Sequence, residues 1–473
     1  MDHEIPEPSV AARLPREVLS DIFKRSMPIP DLQAFESAAL HTIPRQLLID
    51  TPTLNPSSPP WTFGQICRYW RDVCLSEDRL WSPVAVVVGE AEILGQHSEW
   101  LLEEWLKRSG TKPLDVYFHA PRKSHTQGVQ ALLQILARCS LRWKSACIVV
   151  DADLVPCISG VRQHLPVLEK VHLNLLQAGD RHATVSTAVQ DALEDLFEDA
   201  PKLSHVTFTG PFQLKLRLRW SQLKYYSAPA GPTMHDILGW CPNLETYRVT
   251  DGTRKRPLKG ILKHLHLRTL VVWTTDGFEF LDLPALEVLW FRFTGSEVFR
   301  IITSLIDRSG CSLVKLILTD LNLQGTHQNE VEQLIASVPA LKTLALSTFP
   351  VTNRSMKAVL SSLIIKKTLA PSQIPLPNLE TLIVVYHRYE HDDIEDFERD
   401  EYPDLGPMDL KQTIAVLRSR LYLSPNHGQT IKPLQKVSIT TSFPITGEER
   451  SVLDGMQKDG MGVETETVVP FSW

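Results

Sequence analysis

Apolar residues recur along this chain in two rhythms, one of three to four positions and one of two, and each rhythm predicts an element. In LPREVLSDIFKRSMP (14–28), Leu14, Val18, Leu19, Ile22 and Phe23 fall at helical spacing, with Arg16, Glu17, Asp21 and Lys24 opposite them. Pro15 suits a first helical position, where its missing N–H would be unpaired anyway. A second helical stripe of Ile66, Tyr69, Trp70 and Val73 runs through WTFGQICRYWRDVC, and Leu80 and Trp81 close that segment before the β-branched run VAVVV (84–88). A helix pattern ending at Gly110 precedes the strand-like PLDVYFH, and another at 127–139 precedes ACIVV.

From His164 onward one phrase recurs: HLPVLEKVHL, DAPKLSHVTF, WSQLKYYSA, WCPNLETYRV, HLHLRTLVV, DLPALEVLWF, SGCSLVKLIL, SVPALKTLAL, PLPNLETLIV and IKPLQKVSI. Aligned on Leu168, Leu203, Leu223, Leu244, Leu267, Leu286, Leu313, Leu341, Leu379 and Leu434, the copies are spaced by 35, 20, 21, 23, 19, 27, 28, 38 and 55 residues. Most of these spacings lie in or near the period of leucine-rich repeats, about 20–29 residues, and L-x-x-[LVY]-x-[LVF] matches that repeat's strand. Helical patterns at 187–199, 296–310, 327–338, 355–367 and 409–423 fall between copies. Strand alternating with helix predicts parallel pairing through right-handed crossovers. One buried α/β sheet would also use such leucines. The number of copies favours a curved solenoid, in which repeats that cannot bury their own apolar faces stack into one core with capped ends.

Composition changes this picture little. The 473 residues exceed what one core usually serves, which suits a repeat array. With 33 Pro and only 22 Gly, Gly-rich phosphate loops are not expected, and the Pro fit stops between helices and strands. The net charge of -6 lacks the basic footprint of a nucleic-acid binder. The opening MDHEIPEPSV lacks the basic start and apolar run of a signal peptide, and no apolar run reaches membrane-span length. Seven scattered cysteines without a CxxC pair suggest a reducing compartment; Cys157, Cys241 and Cys311 adjoin repeat phrases and read as buried packing. A cytoplasmic or nuclear protein is expected.

The two N-terminal stripes carry a more specific signal. LPREVLSDIF, then ICRYWRDVC, then RLW resemble the F-box, whose members show a leading LP-x-E-[VL]-L-x-x-[IV]-F helix, a VC-[KR]-x-WR helix and a closing LW. The resemblance covers about 13–82. It departs from the family in a Pro-rich insertion at 28–60, as seen in many mushroom-type fungal members, within which DLQAFESAAL (31–40) could form a short helix. The resemblance implies docking on the S-phase-kinase-associated adaptor, and through it on a cullin–RING ubiquitin ligase. It assigns that contact to Leu14, Pro15, Val18, Leu19, Ile22, Cys67 and Trp70, some of which must also pack the module's own core.

The expected organisation is therefore a tail at 1–12 and an all-α F-box-like module at 13–85. A connecting or capping α/β region at 86–150 follows. An irregular leucine-rich-repeat α/β solenoid at 151–473 carries helices on its outer face and an acidic insertion at 388–408. Positions between the core leucines of each strand point to the concave face. They give His172 and Asn174, His205 and Thr207, Thr246 and Arg248, Val271 and Trp273, Trp290 and Arg292, and Lys315 and Thr319. Trp273, Trp290, Arg248, Arg292 and His205 are the candidates for holding a protein substrate, since Trp and Arg dominate binding hot spots.

Other clusters read as bland. His387, His391, Asp392 and Asp393 have metal-ligand chemistry, but nine of the fifteen residues from Glu390 to Asp404 are acidic, as in a solvated loop. RKRPLK (254–259) has the composition of a nuclear import signal and of ordinary loops alike. His264 and His266 alternate on a strand. No phosphate loop, dinucleotide fingerprint, nucleophile elbow or HExxH is present, so no enzyme, cofactor or metal is expected. The reading is a non-catalytic substrate receptor, monomeric outside its ligase complex and binding neither nucleic acid nor membrane. A repeat scaffold without any ligase role remains the alternative.

Overall fold

The computed structural model describes residues 14–27, 53–88, 97–120, 127–176, 187–210, 216–228, 232–249, 260–274, 277–292, 297–321, 328–348, 353–366, 373–386, 410–422, 431–441 and 445–467. Most of the Pro-rich insertion, the basic RKRPLK segment and the whole acidic insertion, with His387, His391, Asp392 and Asp393, lie outside the described residues. The chain divides into two compact units, Met1–Gly231 and Pro232–Trp473.

The first unit opens with α1 (Arg16–Ser26), α2 (Phe63–Ile66) and α3 (Arg68–Ser76). The second stripe seen in the sequence is thus two helices. Cys67 breaks it by taking an extended conformation and capping α3, its Sγ accepting the Trp70 N–H. Then come β1 (Pro83–Val87), α4 (Ser98–Arg108), β2 (Leu114–His119), α5 (Gln127–Arg138), β3 (Trp143–Asp151), β4 (Lys170–Leu176), α6 (Thr187–Glu194), β5 (His205–Thr209) and β6 (Tyr225–Ala228). These strands pair in parallel and in chain order. The stretch 86–150 therefore supplies β2 and β3 to the sheet that β4 continues.

Three tryptophans tie the opening helices to this sheet. Trp61, Trp81 and Trp105 meet edge to face with ring centroids 5.0–5.7 Å apart. The Arg108 guanidinium lies 4.6 Å from the centre of Trp61 and 4.7 Å from that of Trp81. Each indole N–H donates to a backbone carbonyl, of Thr53, Cys74 and Pro83 respectively. The cluster thereby buries its large apolar area without stranding a donor.

The second unit runs α7 (Met234–Trp240), β7 (Thr246–Val249), β8 (Leu262–Lys263), β9 (Thr269–Val272), β10 (Leu281–Asp282), β11 (Val288–Arg292), α8 (Val298–Ser309), β12 (Lys315–Leu321), α9 (Gln328–Ser337), β13 (Thr343–Thr348), α10 (Asn353–Leu363), β14 (Thr381–Tyr386), α11 (Lys411–Leu421), β15 (Lys436–Thr441), α12 (Gly447–Lys458) and β16 (Gly462–Thr467). Apart from β8 and β10, which form a small parallel pair of their own, the strands again pair in parallel and in chain order. Successive helices α8 to α12 pack side by side.

The ten recurring phrases are the ten strands β4 to β7, β9 and β11 to β15, and every leucine used to align them is buried, at 0–4% exposure. The next core position of each phrase is buried as well, as in Val171, Tyr247, Leu289 and Leu382. Both units therefore have the parallel, stacked α/β organisation of leucine-rich-repeat-like arrays. Arginines at helix ends join neighbouring repeats by answering otherwise orphaned carbonyls. Arg308 donates to Leu281 and Phe278, and the fully buried Arg420 to Leu376 and Pro375.

Candidate binding surfaces

The described residues hold no group of three or more His, Cys, Asp or Glu able to bind a metal ion. At six of the seven cysteines burial disfavours the thiolate. Burial pushes Cys74 and Cys241 up to about 12, and Cys139, Cys147, Cys157 and Cys311 also upward. All seven cysteines are free. Cys241 is buried as the repeat phrases imply, whereas Cys157, inside the 3-10 helix Ala152–Val161, and Cys311, between α8 and β12, are only half-buried. His264 lies just past β8, which ends at Lys263, so it and His266 do not alternate on a strand. The His264 ring is buried, its Nε2–H donating to the Cys241 carbonyl and its Nδ1 accepting the Leu267 N–H, so that it holds two repeats together as a neutral ring.

The opening helices separate residues that the sequence could not. Leu19, expected on the partner-facing stripe, is completely buried and belongs to the module's own core, beside Phe23 and Val73. Phe23 stacks on Phe63 at 4.2 Å and meets Trp70 edge-on at 5.1 Å. Polar contacts fix α1 on α3: Ser20 donates to Glu77, Lys24 pairs with Glu77 at 3.0 Å, and the Tyr69 hydroxyl donates to the Leu14 carbonyl. What this packing leaves uncovered is Val18 at 45% and Ile22 at 41% exposure, one turn apart on α1. Pro15 is exposed, and Leu14, Cys67 and Trp70 are half-buried. Ile66, which the sequence places in the second helical stripe, and Leu75 are further exposed apolar residues of this module, at 58% and 43%. Ile66 lies at the end of a helix, and Leu75 falls off the side of α3 that Val73 and Cys74 bury.

In the second unit the strand register settles which side chains share the inner face. Arg248 pairs with Val271, Val271 with Trp290, Trp290 with Ile317, and Ile317 with Ala345. The same row continues through Ile383 and Ser438 to Glu464. Four of the five residues expected to hold a substrate come together at one end of it. The Arg248 guanidinium lies 5.5 Å from the Trp290 ring centre, and that of Arg292 lies 4.5 Å from Trp273. Val271, beneath the first pair, is 3% exposed, while both tryptophans and both arginines remain half-exposed. An Arg stacked on an indole keeps its planar donors at the rim while its face is shielded from water, a geometry suited to a carboxylate. The Trp290 Nε1–H is buried without a hydrogen-bond partner, so this indole is held by stacking.

The fifth residue, His205, lies in the first unit. Its ring stacks on Tyr225 at 5.9 Å and its Nδ1 is 2.9 Å from the Ser204 hydroxyl. The inner face there also carries Ala85, Tyr117, Cys147 and Val149, all nearly inaccessible. His172 and His119 on this face are driven below the ordinary histidine value by burial, His172 to about 4.

No helix among the described residues is long and apolar enough to cross a membrane. No family model matches the chain, and no curated protein matches it. Among solved structures the chain is similar to the leucine-rich repeat-containing protein LegL7 from Legionella pneumophila. The two are 12% identical with a TM-score of 0.34, over 79% of this chain and 97% of that one, a likeness too slight to carry anything about function.

Proposed function

We propose that this chain is a non-catalytic recognition subunit of a cullin–RING ubiquitin ligase. Its N-terminal helices dock on the S-phase-kinase-associated adaptor, and its repeat region holds a protein substrate. The observation that carries the reading is the uncovered pair Val18 and Ile22 on a helix whose other face is sealed by Leu19 and Phe23. An apolar stripe left open on an otherwise packed helix is what helix-in-groove recognition uses. LPREVLSDIF and ICRYWRDVC supply the motif on which that stripe lies. The Trp–Arg pairs of the inner face supply hot-spot chemistry for the substrate. The chain itself then breaks no bond; it raises the local concentration of substrate at the ligase.

The test is co-purification with the adaptor. Wild-type chain should bring the adaptor down, and Val18→Asp with Ile22→Asp should lose it at an unchanged melting temperature. Equal recovery with the double variant, or none with wild type, sinks the reading. Leu19→Asp is no substitute, because it places a charge in the core.

A second reading has its own support. The Trp61–Trp81–Trp105 cluster fastens the helices to β1, as a dedicated cap would be fastened. If they only cap, the chain is a repeat scaffold for other protein contacts and no adaptor is recovered.

A further inference from the structure

The second unit's inner face is polarised along its length. One end carries Arg248 and Arg292 stacked on indoles, and the other carries Glu464 and Glu466 on β16, both exposed. Between them the central row is apolar as far as Ile383: Trp290, Ile317 and Ile383 are half-exposed, Ala345 lies low between the two isoleucines, and Ser438 then leads to Glu464. Lys436 pairs with Glu464 at 2.8 Å, so Glu466 supplies most of the negative pull at that end.

The flanking rows differ from the centre. On one side the row reads Thr269, Val288, Lys315, Thr343, Thr381 and Lys436, and on the other Thr319, the buried Ser347, Val385 and Thr440. A helix laid on such a face would find little use for flanks that offer hydroxyl and ammonium groups, since its backbone is already paired. An extended chain has its N–H and C=O groups open and requires partners for them. From Arg248 to Glu464 the row crosses seven strand-to-strand steps. At about 4.8 Å each this is roughly 34 Å, the length of about ten extended residues at 3.3 Å apiece.

Resting on the reading of this face as the substrate surface, we propose that it holds an extended segment of a partner protein, about ten residues long. That segment is acidic at the end over Arg248 and Arg292, apolar in its middle, and basic at the end over Glu464 and Glu466. The opposite charges fix its direction, and the apolar row supplies affinity.

The experiment is selection of a displayed random 12-residue peptide library on the full-length chain, run in parallel on Glu464→Lys with Glu466→Lys and on Trp290→Ala. Wild type should enrich peptides with acidic residues at one end, basic residues at the other and apolar residues between. The charge-reversed variant should exchange the basic end for an acidic one, and Trp290→Ala should reduce binding of the selected wild-type peptides at least tenfold. The proposal is overturned if nothing is enriched, if the enriched peptides lack opposite ends of charge, or if charge reversal leaves their composition unchanged. Adaptor co-purification is read on the same variants. Its loss alone bears on α1, whereas its retention with an unpolarised selection bears on this face alone.

Discussion

At the scale of the residue, alternation along a strand was enough to place Trp290 and Arg292 on the inner face, but it could not say what they touch. The tertiary structure stacks Arg248 on Trp290 across Val271, and Arg292 on Trp273. A half-exposed cation–π pair contributes on the order of 1 kcal/mol to folding. Trp290→Ala with Arg292→Ala should therefore lower stability by only a few kcal/mol at most while weakening substrate capture by at least about 2 kcal/mol, the hot-spot scale. Calorimetry beside a pull-down separates the two effects, and a collapse of the fold would assign these residues to the core. Leu19 behaves oppositely. Fully buried on α1, it should cost about 2–5 kcal/mol as Leu19→Ala, measured by denaturant unfolding. Both Leu19 and Val18 sit in one helical stripe of the sequence. A stripe is wider than the line of contact, so only packing against Phe23, Val73 and their neighbours decides which of the two faces inward.

At the scale of the element, helix and strand positions follow closely from periodicity. The expected helices at 296–310, 327–338 and 409–423 are α8, α9 and α11 with their ends trimmed by one or two residues. Periodicity missed the break at Cys67 and the small β8–β10 pair, because a cap and a two-residue strand leave no repeat to detect. It was also silent on how repeats are joined. The Arg420 guanidinium donates to Leu376 and Pro375 at 3.2 and 2.7 Å, and burial pulls it down to about 10. Arg420→Met keeps the apolar stem but strands those carbonyls, at about 1–3 kcal/mol for each buried unsatisfied group. A drop in denaturation midpoint of that order is expected, and a neutral result would mean water replaces the guanidinium. At the far end, Thr446 and Glu449 form a capping box on α12, and Glu449 also accepts the Leu410 N–H at 2.8 Å. Thr446→Ala should cost about 1 kcal/mol by the same measurement.

At the scale of the whole molecule, the buried histidines set the response to acid. His119, His172 and His264 are all lowered from 6.5 by burial, His172 to about 4. In the unfolded chain they take up protons near pH 6.5, while in the folded chain they resist. Their stabilisation is therefore complete above that value and is lost as pH falls toward 4. Carboxylates act lower still. Burial pushes Glu77 up, but the Ser20 hydroxyl and Lys24 more than reverse it, so its contribution is present above 4.5 and lost beneath. Melting temperature should be flat from pH 7 to 8, fall between pH 6.5 and 4, and fall more steeply below. A profile flat down to pH 4.5 would show that these histidines reach solvent.

The sequence by itself determined the repeat. Ten leucines at a short period must be buried somewhere, and a strand rhythm between helices leaves parallel stacking as the way to bury them. It determined equally that Trp290 and Arg292 share a face, since side-chain direction along a strand alternates whatever surrounds it. Only the tertiary structure decided which apolar residues of α1 stay uncovered and which strand lies beside which in register. It alone brought Glu464 into line with Arg248 more than two hundred residues away. The physical reason is that periodicity is a local property carried by neighbouring residues, whereas exposure and register depend on what other segments occupy the space beside them.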